Sequence, residues 1–191
     1  MTESLLILLW RKKLKVEMIK FPTNEDWKFC KDCTLNTVGK TSTKMPTDEW
    51  KKKLLESEHS PIRTLWFGFK LEIPYWVSVH LVRHKIGCEH FVSTQRDDRQ
   101  DEIKIPRAEK PQGEPVSHIV YVNAQEIINM AHKRLCRQAS KETREVVEKM
   151  VQLVIEKCPE FKNVLVPNCV YRNGKCTEFN PCGYNKTLDN N

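Results

Sequence analysis

The sequence predicts a mixed α/β fold, with strands and helices in irregular order and no regular βα repeat. Three observations lead there. Residues 63–73 (RTLWFGFKLEI) and 116–122 (VSHIVYV) have the aromatic, β-branched and alternating character of strands. Ser140 caps a segment that sets Val146, Val147, Met150, Val151 and Val154 on one helical face. Residues 97–115 are polar, with prolines at 106, 111 and 115 and a glycine, so a loop is expected there and not a packed element.

Taken in order, residues 1–13 (MTESLLILLWRKK) read as an extension. Leu14 to Phe21 is the first expected strand, stopped by Pro22. Asn24 or Glu25 opens a short helix with Trp27 and Phe29, followed by Cys30-Lys-Asp-Cys33. A polar loop from Thr37 to Pro46 leads to Thr47, which caps a helix with Asp48 and Glu49 in its first turn, favourable against the helix dipole. His59-Ser60-Pro61-Ile62 is a turn before the 63–73 strand. Pro74 stands at the first position of a helix through Val82, with Trp76, Val79 and Val82 as its apolar stripe. Asn123-Ala-Gln-Glu126 is a capping-box pattern opening a helix to about Arg137, and Pro159 ends the Ser140-capped helix. The chain thus divides into an extension (1–13), one domain (14–160) and a turn-rich tail (161–191) holding Cys169, Cys176 and Cys182.

A chain of 191 residues suffices for one domain with one substantial core. The net charge of +7 favours anionic partners. Ser4 to Trp10 is apolar, but its basic residues follow instead of preceding it, and it is too short to span a bilayer. A cytoplasmic protein without a membrane segment is the expectation, and its 8 cysteines are then thiols for packing or metal, not a disulfide framework.

The densest chemistry lies in Val79 to Arg96 (VHLVRHKIGCEHFVSTQR), where Arg83, His84, Lys85, His90, Ser93 and Arg96 fall within fourteen residues. Arg83, His84 and Lys85 would fan out from a helix end. The following loop contains Gly87 and ends in Ser93-Thr94, short hydroxyls beside backbone N–H groups, a suitable seat for phosphate.

This stretch resembles the signature of the flavin-dependent thymidylate synthases, the ThyX family. Their R-H-R, seven residues, then S stands here as Arg83-His84-Lys85 and Ser93. Three further blocks are similar in the same order, spanning roughly residues 36–155. Glu58-His59-Ser60-Pro61 precedes the Trp66-Phe67-Gly68-Phe69 strand. Arg107 stands four residues before Pro111. Asn123, Asn129 and Arg134, followed by Ala139, Glu142 and Arg144, keep the spacing of the family's flavin- and nucleotide-binding helix. The resemblance implies a ThyX-like fold, a central and mostly antiparallel sheet flanked by helices, and a homotetramer with shared active sites.

It also implies a reaction: reductive methylation of dUMP to dTMP with FAD, NADPH and methylenetetrahydrofolate. Arg134 is then the catalytic residue, stabilising negative charge on the uracil carbonyl edge as hydride moves from flavin to the ring. His59, Arg83, His84, Lys85, His90, Asn123 and Asn129 hold FAD. His80, Ser93, Gln95, Arg96 and Arg107 hold dUMP together with Arg134. Asn123, Asn129 and Arg134 rise along one helix by six and then five residues, so at about 100° per residue all three fall within about 140° of its circumference, roughly a third. Cys88 is assigned to packing as a small buried thiol, and His118 and His132 to surface or packing roles.

Several positions depart from the family pattern. Lys85 replaces the second arginine, keeping charge but losing the bidentate fork. Cys88 and His90 stand where serine or tyrosine and asparagine are usual, Gln95 replaces a phosphate-binding arginine with Arg96 next to it, and His80 replaces a common glutamine. The connection between signature and last helices is short. A related flavin enzyme that hydroxymethylates a pyrimidine nucleotide is therefore the second hypothesis. The third is a non-catalytic nucleic-acid-binding derivative; it ranks last because the cations concentrate in nucleotide-pocket blocks and not along one face.

Cys169-x6-Cys176-x5-Cys182 can wrap zinc or iron if a fourth ligand is supplied, by Cys136 or by the Cys30/Cys33 pair. Free buried thiols are the competing reading.

Overall fold

The computed structural model describes residues 14–99, 101–102 and 105–188, so the extension expected over 1–13 lies outside them. Four strands form one sheet in the order β1-β2-β4-β3, with every neighbouring pair antiparallel. They are β1 (Lys15–Lys20), β2 (Trp66–Pro74), β3 (Cys88–Val92) and β4 (Pro115–Asn123). Six α-helices accompany them among the described residues: α1 (Asn24–Asn36), α2 (Asp48–Glu56), α3 (Tyr75–Leu81), α4 (Ala124–Arg134), α5 (Lys141–Lys157) and α6 (Asn168–Tyr171). The mixed α/β class and the antiparallel sheet agree with the sequence-based expectation.

The two central strands explain the core. Phe67, Phe69, Leu71 and Ile73 on β2 stand opposite Val122, Val120, His118 and Val116 on β4, and all eight are buried. Period-2 alternation puts them on one face. Helices α4 and α5 supply the covering layer through Ile127, Ile128, Met130 and Ala131 and through Val146, Val147, Met150 and Val154. Phe161 meets Phe67 edge-on at 5.2 Å and Trp27 at 6.2 Å, tying α1 to the sheet. Each such side chain contributes about 1.5–3 kcal/mol by leaving water, so this sandwich fixes where the ends of β4 and α4 point.

Local chemistry sets the helix starts. Thr23 and Asp26 form a reciprocal capping box on α1, with the Asp26 carboxylate accepting from the Thr23 N–H at 2.8 Å. That cap carries α1 on to Asn36, longer than expected, so Cys30 and Cys33 are helical. Cys30 is fully buried and donates to the Pro61 carbonyl at 3.3 Å, which removes the pair as the tail's fourth metal ligand. The reading of α3 also needs correction. Pro74 is the last residue of β2 and caps the helix, and its buried residues are Val77, Ser78 and Leu81, with Trp76 packed part-buried against the core and Val79 and Val82 half-buried. Val77 and Leu81 form the i, i+4 apolar pair of this short helix. No helix among the described residues is long and apolar enough to cross a membrane.

Candidate active site

The signature stretch does not run as one loop. After α3 the chain turns at Gly87 and returns as β3, an edge strand whose inward residues are Cys88, His90 and Val92, paired with Val122, Val120 and His118. The Asn123 N–H donates to the Gly87 carbonyl at 2.8 Å, so the turn is clamped to the start of α4. Gly87 has φ +73°, and a Cβ there would overlap the Asn123 carboxamide. Only glycine meets both conditions.

This clamp brings α4 against the end of α3. Glu126 Oε1 lies 2.7 Å from His84 Nδ1, and Arg134 Nε lies 3.0 Å from His84 Nε2. A guanidinium can only donate, so His84 Nε2 must present its lone pair and the ring proton must sit on Nδ1, donated to Glu126. The result is a carboxylate–imidazole–guanidinium chain in which Glu126 fixes the tautomer and His84 fixes the arginine. Arg134 Nη2 also donates to the His80 carbonyl at 2.9 Å. Of the five N–H donors of a guanidinium, two are used among the described residues, which leaves three for a ligand. Arg134 is half-buried, and desolvation lowers its pKa, but a guanidinium stays charged at any working pH.

His80 is oriented in turn. The Ser140 hydroxyl, which caps α5, donates to Thr143 Oγ1 at 2.8 Å, and the Thr143 hydroxyl then serves His80 Nδ1 at 2.7 Å. Trp76 packs edge-on against the His80 ring at 5.7 Å.

A second chain lies on the inward face of β3. His90 Nε2 donates to the His84 carbonyl at 2.8 Å, so His90 Nδ1 accepts from His118 Nε2 at 2.9 Å. That leaves His118 Nδ1 buried without a partner among the described residues. Burial first, and then the neighbouring His90, push His118 down from 6.5 to about 4. A neutral buried histidine gains a proton when the chain unfolds, so the stability it confers is complete above about pH 6.5 and is lost as pH falls towards 4. A shift of that size corresponds to about 3 kcal/mol. Urea unfolding at several pH values should therefore show a steep loss over this window in the wild type and a flatter one in His118→Leu; parallel curves would exclude the linkage. Cys88, beside His90 at 3.2 Å, is pushed up to about 12 by burial and then by Glu126 and Glu89. A thiol so rarely ionised at neutral pH is no nucleophile.

The residues singled out from sequence divide into two groups. His80, His84, His90, Asn123, Asn129 and Arg134 are joined by the contacts above, with Asn129 donating to Glu126 Oε2 at 3.1 Å and Asn123 Oδ1 accepting from the Glu126 N–H at 2.9 Å. Arg83 and Lys85 are exposed beside them. His59 is exposed at the start of a 3-10 turn (Ser60–Thr64) that packs on α4.

The expected phosphate seat differs from its reading. Ser93 extends the β3–β4 ladder, its N–H donating to Ser117 O at 2.8 Å and its hydroxyl accepting from the Ser117 N–H at 3.1 Å. The N–H is thus occupied by the sheet, and the hydroxyl oxygen accepts from it while its own O–H donor is not used there. Beyond it, Arg96 forms a fork on the Asp98 carboxylate at 2.9 and 2.6 Å, and the Asp97 carboxylate accepts from the Arg107 N–H at 3.0 Å. The side chains of Arg96 and Arg107 are exposed, and that of Gln95 is half-buried.

Sequence reasoning missed Glu126 as a site residue. It stands at the third helical position and reads as half of a capping box, yet its carboxylate turns away from the Asn123 backbone to His84 and Asn129. The cap is one-sided, with only the Asn123 side chain engaged. The available signal was an acid one helical turn before Asn129 and two turns before Arg134.

A half-buried guanidinium aimed by a histidine–carboxylate pair, with exposed cations beside it, is an arrangement that can hold an anionic ligand with a planar polar edge. Residues 107–160, which carry β4, α4 and α5, match the family described as thymidylate synthase complementing protein, Thy1. The fold is similar to that in the crystal structure of a UMP/dUMP methylase, PolB, from Streptomyces cacaoi bound with 5-Br dUMP. The TM-score is 0.62 at 14% identity, over 80% of this chain and 97% of that one. No curated protein sequence matches the chain. The family match and the fold agree with the resemblance read from the signature stretch, and are consistent with a flavin-dependent thymidylate synthase-like family.

Proposed function

We propose that this protein is a FAD-dependent thymidylate synthase, which reductively methylates dUMP with methylenetetrahydrofolate as carbon source and NADPH as reductant. The observation that carries the reading is Arg134. It is half-buried, held by two contacts, and left with three donors not used among the described residues. It also lies on a helix inside the family match.

The residues present fit a flavin with its pyrophosphate. Arg83 and Lys85 provide exposed positive charge at the end of α3, His59 flanks the start of α4, and Asn129 is exposed on the same helix as Arg134. When bound, FAD supplies the hydride. The protein's own part is to hold the uracil edge on Arg134, keep that guanidinium oriented through His84 and Glu126, and stabilise charge as it develops on the ring carbonyl. Arg107 and Arg96 would take the nucleotide phosphate, with Gln95 beside them. The Arg96–Asp98 pair is exposed and thus weakly held, so a phosphate dianion can displace the carboxylate. Ser93 would contribute by fixing the base of this loop, and its hydroxyl, which only accepts from Ser117, could still donate to phosphate, while its N–H could not. Sites shared between subunits of a homotetramer belong to the same proposal.

The test is purification followed by flavin absorption, thermal melting with added FAD, and dUMP-dependent oxidation of the reduced flavin with product identification. A bound flavin must raise the melting temperature. A colourless, folded protein whose melting ignores FAD would sink the proposal. The S. cacaoi neighbour is named as a UMP/dUMP methylase, so UMP is the second substrate to assay, and the product separates methylation from hydroxymethylation.

A further inference from the structure

The tail does something that no part of the nucleotide site requires. Four of the chain's cysteines, Cys136, Cys169, Cys176 and Cys182, line one small cavity between the end of α4 and residues 168–185. All four are free thiols. The cavity measures about 10 Å³, room for a single water- or ion-sized sphere. We propose that this cavity is a structural zinc site in which the four cysteines are the ligands.

Several independent features carry this. The sequence separations would let the tail wrap a central ion, since Cys169 lies on α6, Cys176 and Cys182 follow in the irregular chain after it, and Cys136 lies just past the end of α4. Four sulfur ligands around one point is the closed tetrahedral set that zinc takes in structural sites. Asn185 also lines the cavity, and its Oδ1 is buried without a partner among the described residues. A buried carbonyl-type oxygen left unpaired calls for a further polar partner in this cavity, and a cation-bound water can supply it.

The tail also needs such a centre. None of residues 166–188 is buried, although they form α6 and a 3-10 turn, Tyr184–Thr187. Tyr171 packs against the core and beside the His132 ring at 4.4 Å, and beyond it the tail meets the end of α4 through polar or cationic contacts. Gln138 donates to the Asn180 carbonyl at 2.6 Å, Lys133 meets Glu178 at 3.3 Å, and the Arg137 guanidinium lies 4.1 Å from the Tyr184 ring centroid. Surface contacts of this kind hold little structure alone, whereas metal binding supplies folding free energy directly. Arg137, also on the cavity wall, would offset the negative charge of a zinc tetrathiolate.

Among the described residues no three His, Cys, Asp or Glu side chains already form a metal cage. Neutral thiols have no attraction that would make them converge. Binding removes their protons and turns four weak donors into four thiolates drawn to one cation, so closure by side-chain rotation belongs to the binding step.

The experiment uses the full chain, reduced and freed of metal, then titrated with zinc and with cobalt as a spectroscopic probe. The expected result is about one zinc per chain and the charge-transfer and ligand-field bands of a tetrahedral cobalt thiolate. Cys136→Ser and Cys182→Ser should each abolish stoichiometric zinc, while Cys33→Ser, outside the cavity, should leave it unchanged. Cobalt titration of the wild-type chain does not depend on any variant folding. A spectroscopically silent titration, with the four cavity thiols reduced and reactive, would overturn the proposal. So would disulfides among these four in protein purified under reducing conditions, or zinc retained at full stoichiometry in Cys136→Ser.

Discussion

Arg134→Ala is expected to lower dUMP turnover by about a hundredfold or more while leaving FAD bound. The guanidinium acts on charge that develops only as the ring is reduced, so its loss is felt in kcat more than in substrate affinity. Removal of one preorganised donor of this kind costs on the order of 3–4 kcal/mol of transition-state stabilisation. Arg134→Lys should recover little, because a single ammonium cannot bond His84 Nε2 and the His80 carbonyl and still present a planar edge to the base. Glu126→Gln provides the companion test of positioning. The amide still fills the space but no longer enforces the Nδ1–H tautomer of His84, so kcat should fall and its pH profile should change while FAD affinity holds. Wild-type turnover in Arg134→Ala would remove α4 from the active site.

Gly87→Ala is the second large effect, and here stability and binding should fail together. The left-handed backbone at φ +73° costs an alanine about 1 kcal/mol. The new methyl also meets the Asn123 carboxamide, which must move. That carboxamide caps α4 by accepting from the Glu126 N–H, and a lost cap costs a further 0.5–2 kcal/mol or so. The total, about 2–3 kcal/mol, should appear as a lower urea midpoint. Since Asn123, the residue displaced, belongs to the set proposed to hold FAD and caps the helix that carries Arg134, FAD affinity and turnover should fall as well. Asn123→Ala combined with Gly87→Ala should cost less than the sum of the two, because the second change removes the group that the first collides with. Additive costs would show that the two sites do not touch.

The sequence made the large features legible because burial leaves a periodic trace. The β2 and β4 alternation and the apolar face of α5 are visible as spacing alone. Its failures have a common physical cause. Strand β3 was hidden because Cys88 and His90 occupy its inward positions, so a strand looked like a polar loop. The stripe on α3 was misplaced because in so short a helix two residues decide the face. Ser93 looked like an anion seat because a hydroxyl beside N–H groups has the same spelling whether the N–H groups are free or laddered to Ser117. Glu126 was taken for a capping residue because a carboxylate at that position can serve its own helix or reach across to His84, and only the approach of α3 decides. The site was thus readable as a set of residue types, and unreadable as a set of bonds.

The pairing of Ser93 with Ser117 has an evolutionary side. These two residues close the neck of the excursion over 94–116, joined by two hydrogen bonds, so the sheet registers only that the neck is shut. Chain entropy makes the size of a closed loop nearly irrelevant to the rest of the molecule: doubling its length costs about 0.6 kcal/mol. Segments can be inserted in or deleted from this excursion while β3, β4 and α4 keep their register. Arg96 and Arg107, proposed above to take the nucleotide phosphate, ride on the part that is free to vary. Under that proposal, resizing this one loop changes the phosphate contacts while Arg134 and α4 stay in place.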